Sequence, residues 1–199
     1  MSIISVNVNA KKPSVDEVLA FMRAGQNPDE EVTLAASIGI EKIYSASNSR
    51  VCYKKCDLEF LGDGKMRIGS LILESKSLEN RLSGCSEAYV FAATIGTEAD
   101  RIIRAESVKS ALSGLCADAA GSAMVESVCD EFNDSIIALC NMEGHATVTR
   151  FSAGYGDLSL EYQKDICSLL DTKKNIGVSL GGGGMMTPTK SVTAIIGVL

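Results

Sequence analysis

The spacing of apolar positions changes several times along the chain, and each change marks an element. Ser14-Val-Asp-Glu17 has the form of a capping box, in which the Ser and Glu side chains satisfy each other's backbone amides. Val15, Val18, Leu19 and Met22 then fall at helical spacing, predicting a first helix closed by Gly25. Asn27-Pro-Asp-Glu30 opens a second, with proline at the first helical position and acids at the positive end of the dipole, running to about residue 46. From 51 to 73 the period becomes two: a turn at Leu61-Gly-Asp-Gly-Lys65 is followed by alternation through Met66, Ile68, Ser70 and Ile72. The unbroken apolar run Ala88-Tyr-Val-Phe-Ala-Ala-Thr-Ile95, ended by Gly96, predicts a strand buried on both faces.

A short helix from Thr97 carries Ala99, Ile102 and Ile103. The longest helix is predicted over 110–140, where Leu112, Leu115, Ala119, Ser122, Val125, Cys129, Phe132, Ile136 and Leu139 advance by steps of three and four. Its first half is rich in Ala, Gly and Ser, which lets a neighbour approach closely; Glu126, Asp130, Glu131 and Asp134 follow. Strand-like 145–151, an amphipathic stretch over 158–170, strand-like 176–180, a glycine run and a last strand from Ser191 complete an α+β chain. With no repeat or linker, residues 1–199 are read as a single domain, 1–47 forming an N-terminal helical arm and 48–199 the core.

Composition narrows the function classes. A chain of 199 residues, 46% of them hydrophobic, buries about 70% of its unfolded surface and needs no metal or disulfide to fold. A net charge of −6 with scattered basic residues argues against nucleic acid or an anionic membrane as partner. No apolar stretch approaches the roughly 18 residues of a membrane span. Seven cysteines, an odd number, with no basic–apolar leader predict reduced thiols and a cytoplasmic protein.

The candidate chemistry is sparse. Cys52 and Cys56, on an extended segment, would stand roughly 13 Å apart, too far for one zinc at about 2.3 Å from each sulfur. The thiols are therefore read as buried side chains, with no metal site. His145, the single histidine, has no nucleophile placed beside it, so triad chemistry is unsupported and no catalytic residue is assigned. Gly181-Gly-Gly-Gly184 lacks both the P-loop ending and the strand–helix context of a dinucleotide fingerprint. It is either a hairpin connection or a place where backbone approaches a ligand.

Arg150-Phe-Ser-Ala-Gly-Tyr-Gly-Asp157 is more informative. A guanidinium, always charged and shaped as a planar fork, suits a carboxylate. Small residues then expose backbone amides, and Tyr155 offers a stacking face with a hydroxyl. The turn suits an amino-acid carboxylate joined to a flat heteroaromatic group.

These residues resemble the activation (reactivation) domain of cobalamin-dependent methionine synthase, whose fingerprint is Arg-x-x-x-Gly-Tyr. The opening from Glu17 to Glu30 looks like that of its short, stand-alone members. Ala119-Ala-Gly-Ser-Ala-Met-Val-Glu-Ser-Val-Cys-Asp130 resembles its central helix, and Lys190-Ser-Val-Thr-Ala-Ile-Ile-Gly197 its last strand. The resemblance implies a curved antiparallel β-sheet with flanking helices. It also implies S-adenosylmethionine as ligand: Arg150 at the methionine carboxylate, Ala153 and Gly154 in backbone contacts, Tyr155 packed near the ligand, and Glu126 near the sulfonium. Cobalamin would be carried by a partner, the cobalamin-binding module of a methionine synthase or another corrinoid protein, with a flavodoxin-like electron donor.

Departures from the family pattern are Ala153, where many members carry proline, and the glycines at 181–184, where more polar residues are expected. An acidic ligand contact near the family's N-terminal edge has no match. With no folate, homocysteine or cobalamin module in this sequence, the expected role is an accessory one in trans: reductive methylation of cob(II)alamin on a separate methionine synthase. The alternatives are a non-catalytic S-adenosylmethionine-binding or interaction module for another corrinoid methyltransferase, and a scaffold that has lost the ligand.

Overall fold

The computed structural model describes residues 2–25 and 27–199. Its elements in chain order are β1 (Ile4–Asn7), α1 (Val15–Met22), α2 (Glu30–Ala46), β2 (Arg50–Gly62), β3 (Lys65–Ile68), β4 (Leu71–Glu74), α3 (Lys76–Arg81), β5 (Glu87–Thr94), α4 (Thr97–Lys109), α5 (Ala111–Met142), α6 (Tyr162–Leu169), α7 (Thr172–Ile176), β6 (Ser179–Leu180), β7 (Met186–Thr187) and β8 (Ser191–Val198).

An antiparallel sheet of order β4-β3-β2-β5-β8 curls into a half-barrel. The long β2 makes the curl possible. Residues 50–57 pair with β5, while its other edge is shared between β1, opposite 50–53, and β3, opposite 58–62. The sheet therefore bends where β2 leaves one set of partners for the other.

Both faces are covered, which explains the unbroken apolar run of β5. On one face Tyr89, Phe91 and Ala93 join Val51, Ala194 and Ile196 against α1, α2, α4 and α5. On the other, Ala88, Val90 and Ala92 join Cys52, Cys56 and Ile195 beneath β3, β4, α3, α6 and α7. Fully buried Phe91 and Ile195 side chains each contribute about 1.5–3 kcal/mol. Small residues bring the helices close: a Cβ on Gly39 of α2 would lie 3.1 Å from the Cys116 backbone of α5, and one on Gly114 would lie 2.7 Å from Cα of Ser107 in α4.

Several local expectations are corrected. The first helix is closed by Arg23, itself left-handed (φ 54°), two residues before Gly25. Its capping box is present as predicted. Pro28 precedes the second helix, whose N-cap is Asp29. The alternation after residue 65 is two strands out of phase, because Gly69 and Ser70 form a turn; Leu71 and Leu73 point inward and Ile72 outward. Leu115 is exposed, and the buried stripe of α5 is Gly114, Cys116, Ala117, Ala120 and their successors.

Residues 145–151 form an extended segment bridged to β8 at Thr147 and Phe151. Of the stretch 176–180, Ile176 ends α7 and only Ser179–Leu180 is strand. The glycine run is the connection of a small hairpin, β6–β7. Residues 4–7 add a strand that pairs with β2, and Val18, Ala36, Ile40 and Ile43 belong to the main core, so the N-terminal region is built into the fold. Among the described residues no helix is long and apolar enough to cross a membrane.

Candidate functional site

A cleft of about 610 Å³ opens where β8 meets the segment 149–155 and the middle of α5. Its size lies within the range of small-molecule sites. Glu126, Asp130 and Asn133 of α5 line one wall, Ser191, Val192 and Thr193 of β8 the floor, and Arg150, Phe151, Ala153 and Tyr155 the rim; Arg81, Gln163 and Met186 complete the lining. Glu126, Arg150, Ala153 and Tyr155, four of the five residues singled out from the sequence, are thereby brought to one place. Gly154 does not line it.

Arg150 is fixed by two carboxylates one turn apart on α5. Its Nη1 donates to Oδ1 of Asp130 and its Nη2 to Oε2 of Glu126, each at 2.5 Å. Burial is the largest single influence on its pKa and pulls it down, but the Asp130 hydrogen bond and surrounding negative charge outweigh burial and leave it raised. The guanidinium stays cationic, and the three groups together carry a net charge of −1. Such a cluster can hold a dipolar or cationic group while its arginine remains oriented. Behind it, burial pushes the Cys129 thiol up to about 12, so it is neutral and no nucleophile.

The turn is stitched internally and to α3. Gly154 N–H donates to the Leu158 carbonyl at 2.8 Å, so this amide is committed within the turn, and Tyr155 N–H donates to the Ser152 carbonyl. Tyr155 is 65% exposed and meets the Phe151 ring edge-on at 6.4 Å, leaving a ring face free. Leu158 is buried in the second core cluster and anchors the end of the turn. Asp157 crosses to the start of α3, accepting hydrogen bonds from Ser75 Oγ, from Lys76 N–H at 2.9 Å and from Ser77 N–H at 3.1 Å. These bonds hold its carboxyl well below the usual carboxylate range. Gly156 (φ 55°) rests on Ser77: a Cβ there would lie 2.7 Å from Ser77 Oγ.

The floor supplies backbone chemistry. Ile195 exchanges both of its hydrogen bonds with Phe151, so Thr193, in the same phase of β8, turns its amide and carbonyl to the same edge, where the 149–155 segment has diverged. Asp100 fixes the approach to β8 by accepting from Thr189 N–H at 2.9 Å and from its hydroxyl, and Lys190 is held by Asp118 and Ser122. Gln163 donates to the Gly184 carbonyl at 2.9 Å, securing the glycine hairpin beside the cleft. Asn133 Oδ1 is buried on the wall with no partner among the described residues. An unsatisfied acceptor of this kind costs about 1–3 kcal/mol unless a donor meets it.

The remaining sequence candidates stay outside this chemistry. All seven cysteines are free and buried, and no cluster of metal-binding side chains occurs among the described residues. His145 Nδ1 lies 3.0 Å from the Leu199 carbonyl, a tether for the last residue. Sequence reasoning missed Asp130 as the second clamp on Arg150, although its i,i+4 spacing from Glu126 puts both on one helix face. It also missed Asp157, whose partners lie about 80 residues away and leave no local signal.

No protein-family profile matches the chain, and no curated protein matches it. Among solved structures it is similar to the MetH reactivation domain bound to AdoHcy, with a TM-score of 0.65 and 14% identity over 99% of this chain and 78% of that one. The likeness is one of fold. It agrees with the curled antiparallel sheet and flanking helices described above.

Proposed function

We propose that the cleft binds S-adenosylmethionine and that the protein serves, in trans, the reductive methylation of cob(II)alamin held by a separate methionine synthase. The observation that carries this reading is the Arg150–Glu126–Asp130 cluster on the rim of a 610 Å³ cleft. The likeness in fold to a domain crystallised with AdoHcy supports it.

The residues present fit the ligand. Its amino group and its sulfur are cationic, matching a wall whose two carboxylates outweigh one guanidinium. Glu126 and Asp130 favour positive charge beside them. The free face of Tyr155 suits stacking on a flat base. Ala153 lines the same rim. S-adenosylmethionine held there would supply a methyl group to the partner's corrinoid, with the electron drawn from a flavodoxin-like donor. The share of this chain is binding and orientation; none of its side chains acts as nucleophile or general acid.

Titration calorimetry with S-adenosylmethionine tests the ligand. Mixing the protein with a methionine synthase truncated after its cobalamin module, a reductant and S-adenosylmethionine tests the role: recovered turnover is expected. Binding without recovery would assign the protein to a different corrinoid partner.

A further inference from the structure

Both terminal nitrogens of Arg150 are engaged by carboxylates of the chain itself. A ligand carboxylate arriving there must either displace Asp130 or Glu126, or lie against a cluster whose net charge is −1. Its electrostatic welcome at that wall is poor. The cleft contains a second arginine that has no such commitments: Arg81, in the last turn of α3, also lines it. It is exposed, and no ion pair or side-chain hydrogen bond engages it among the described residues.

Its backbone is nevertheless well placed. Ser75 caps α3 by accepting from Leu78 N–H at 3.0 Å, and Asp157 of the Arg150 turn accepts from Ser75, Lys76 and Ser77. Leu78 and Leu82 on either side of Arg81 are fully buried in the second core cluster. The two arginines therefore stand on elements bolted to each other and line one cleft, one engaged by carboxylates and one free.

We infer that Arg81 is the carboxylate anchor of this cleft and that it sets selectivity for ligands that keep the amino-acid carboxylate. The inference rests on the proposed ligand class. It divides the labour of the site: Arg81 takes the carboxylate through its planar fork, while Arg150 orients Glu126 and Asp130 toward the ligand's positive groups.

The test compares S-adenosylhomocysteine with 5′-methylthioadenosine, which retains the adenosyl and thioether groups and lacks the amino acid. The native protein is expected to bind S-adenosylhomocysteine at least tenfold more tightly. Arg81→Ala should lose about tenfold or more for S-adenosylhomocysteine and leave 5′-methylthioadenosine within about twofold, erasing the preference. Arg81→Lys should recover part of it. The melting temperature of each variant serves as the folding control, since Arg81 has no partner to lose. If Arg81→Ala keeps the native preference, or if the native protein has none, the anchor is elsewhere and the ligand class still stands. If the native protein binds neither compound, both the anchor and the ligand class fall.

Discussion

Replacing Gly156 by alanine puts the contact between the Arg150 turn and α3 under direct strain. Gly156 has φ 55°, and a Cβ built on it lies 2.7 Å from Ser77 Oγ and 2.9 Å from Ser77 Cβ, well inside the 3.4 Å at which ordinary contact begins. Two costs add. A left-handed backbone with a side chain costs about 1–2 kcal/mol, and displacing the packed partner costs about 1–3 kcal/mol. In a chain of this size each kcal/mol lowers the melting temperature by about 2–4 °C, so a fall on the order of 10 °C is expected. Ser77→Gly removes both overlapping atoms, so in that background Gly156→Ala should incur only the backbone cost. Urea denaturation of the two single variants and the double variant, followed by circular dichroism, gives the coupling energy. The structure requires a coupling of about 1–3 kcal/mol, with the double variant more stable than the sum of the singles. A coupling below about 0.5 kcal/mol would mean that Gly156 and Ser77 do not touch, and the placement of α3 against the cleft would be wrong.

Variants at two further positions probe the polar framework. Arg150→Met leaves Glu126 and Asp130 without their cation. Because Arg150 is 22% exposed but its partners are 38% and 66% exposed, the loss should be about 1–2 kcal/mol, closer to an exposed pair than a buried one, or roughly 2–8 °C in melting temperature; Arg150→Lys should restore less than half, since ammonium cannot fork between two carboxylates. The carboxyl of Asp157 is depressed by the Ser75 hydroxyl and the Ser77 and Lys76 amides. Its stabilising effect is therefore complete above its ordinary pKa of 3.8 and is lost as pH falls toward the folded value. Melting temperatures between pH 6 and 2 should show a steeper acid decline in the native protein than in Asp157→Asn, and parallel curves would contradict the clamp.

Much of the architecture was legible because its signals are local. The Ser14–Glu17 box, the apolar run of β5 and the stepped stripe of α5 each state their own structure. Errors arose where a short segment carried two signals. Met66 to Ile72 reads as one strand because its apolar residues continue across the turn at Gly69 and Ser70, and Arg23 adopts the left-handed conformation that Gly25 appeared better suited to supply. The site was half legible. Arg150, Tyr155 and Glu126 were visible as residue types in a pattern, and the cleft gathers them. Arg81, Asp157 and Thr193 were not, since their meaning depends on long-range packing: α3 against the turn, and an edge of β8 left open where 149–155 departs.

The account depends most on the cleft taking an S-adenosyl ligand, and calorimetric titration of the native protein with S-adenosylmethionine tests that directly. Saturable binding at one site is expected, weakened several-fold or more in Arg150→Ala. Absence of heat at millimolar ligand, with the protein shown to be folded, would contradict it.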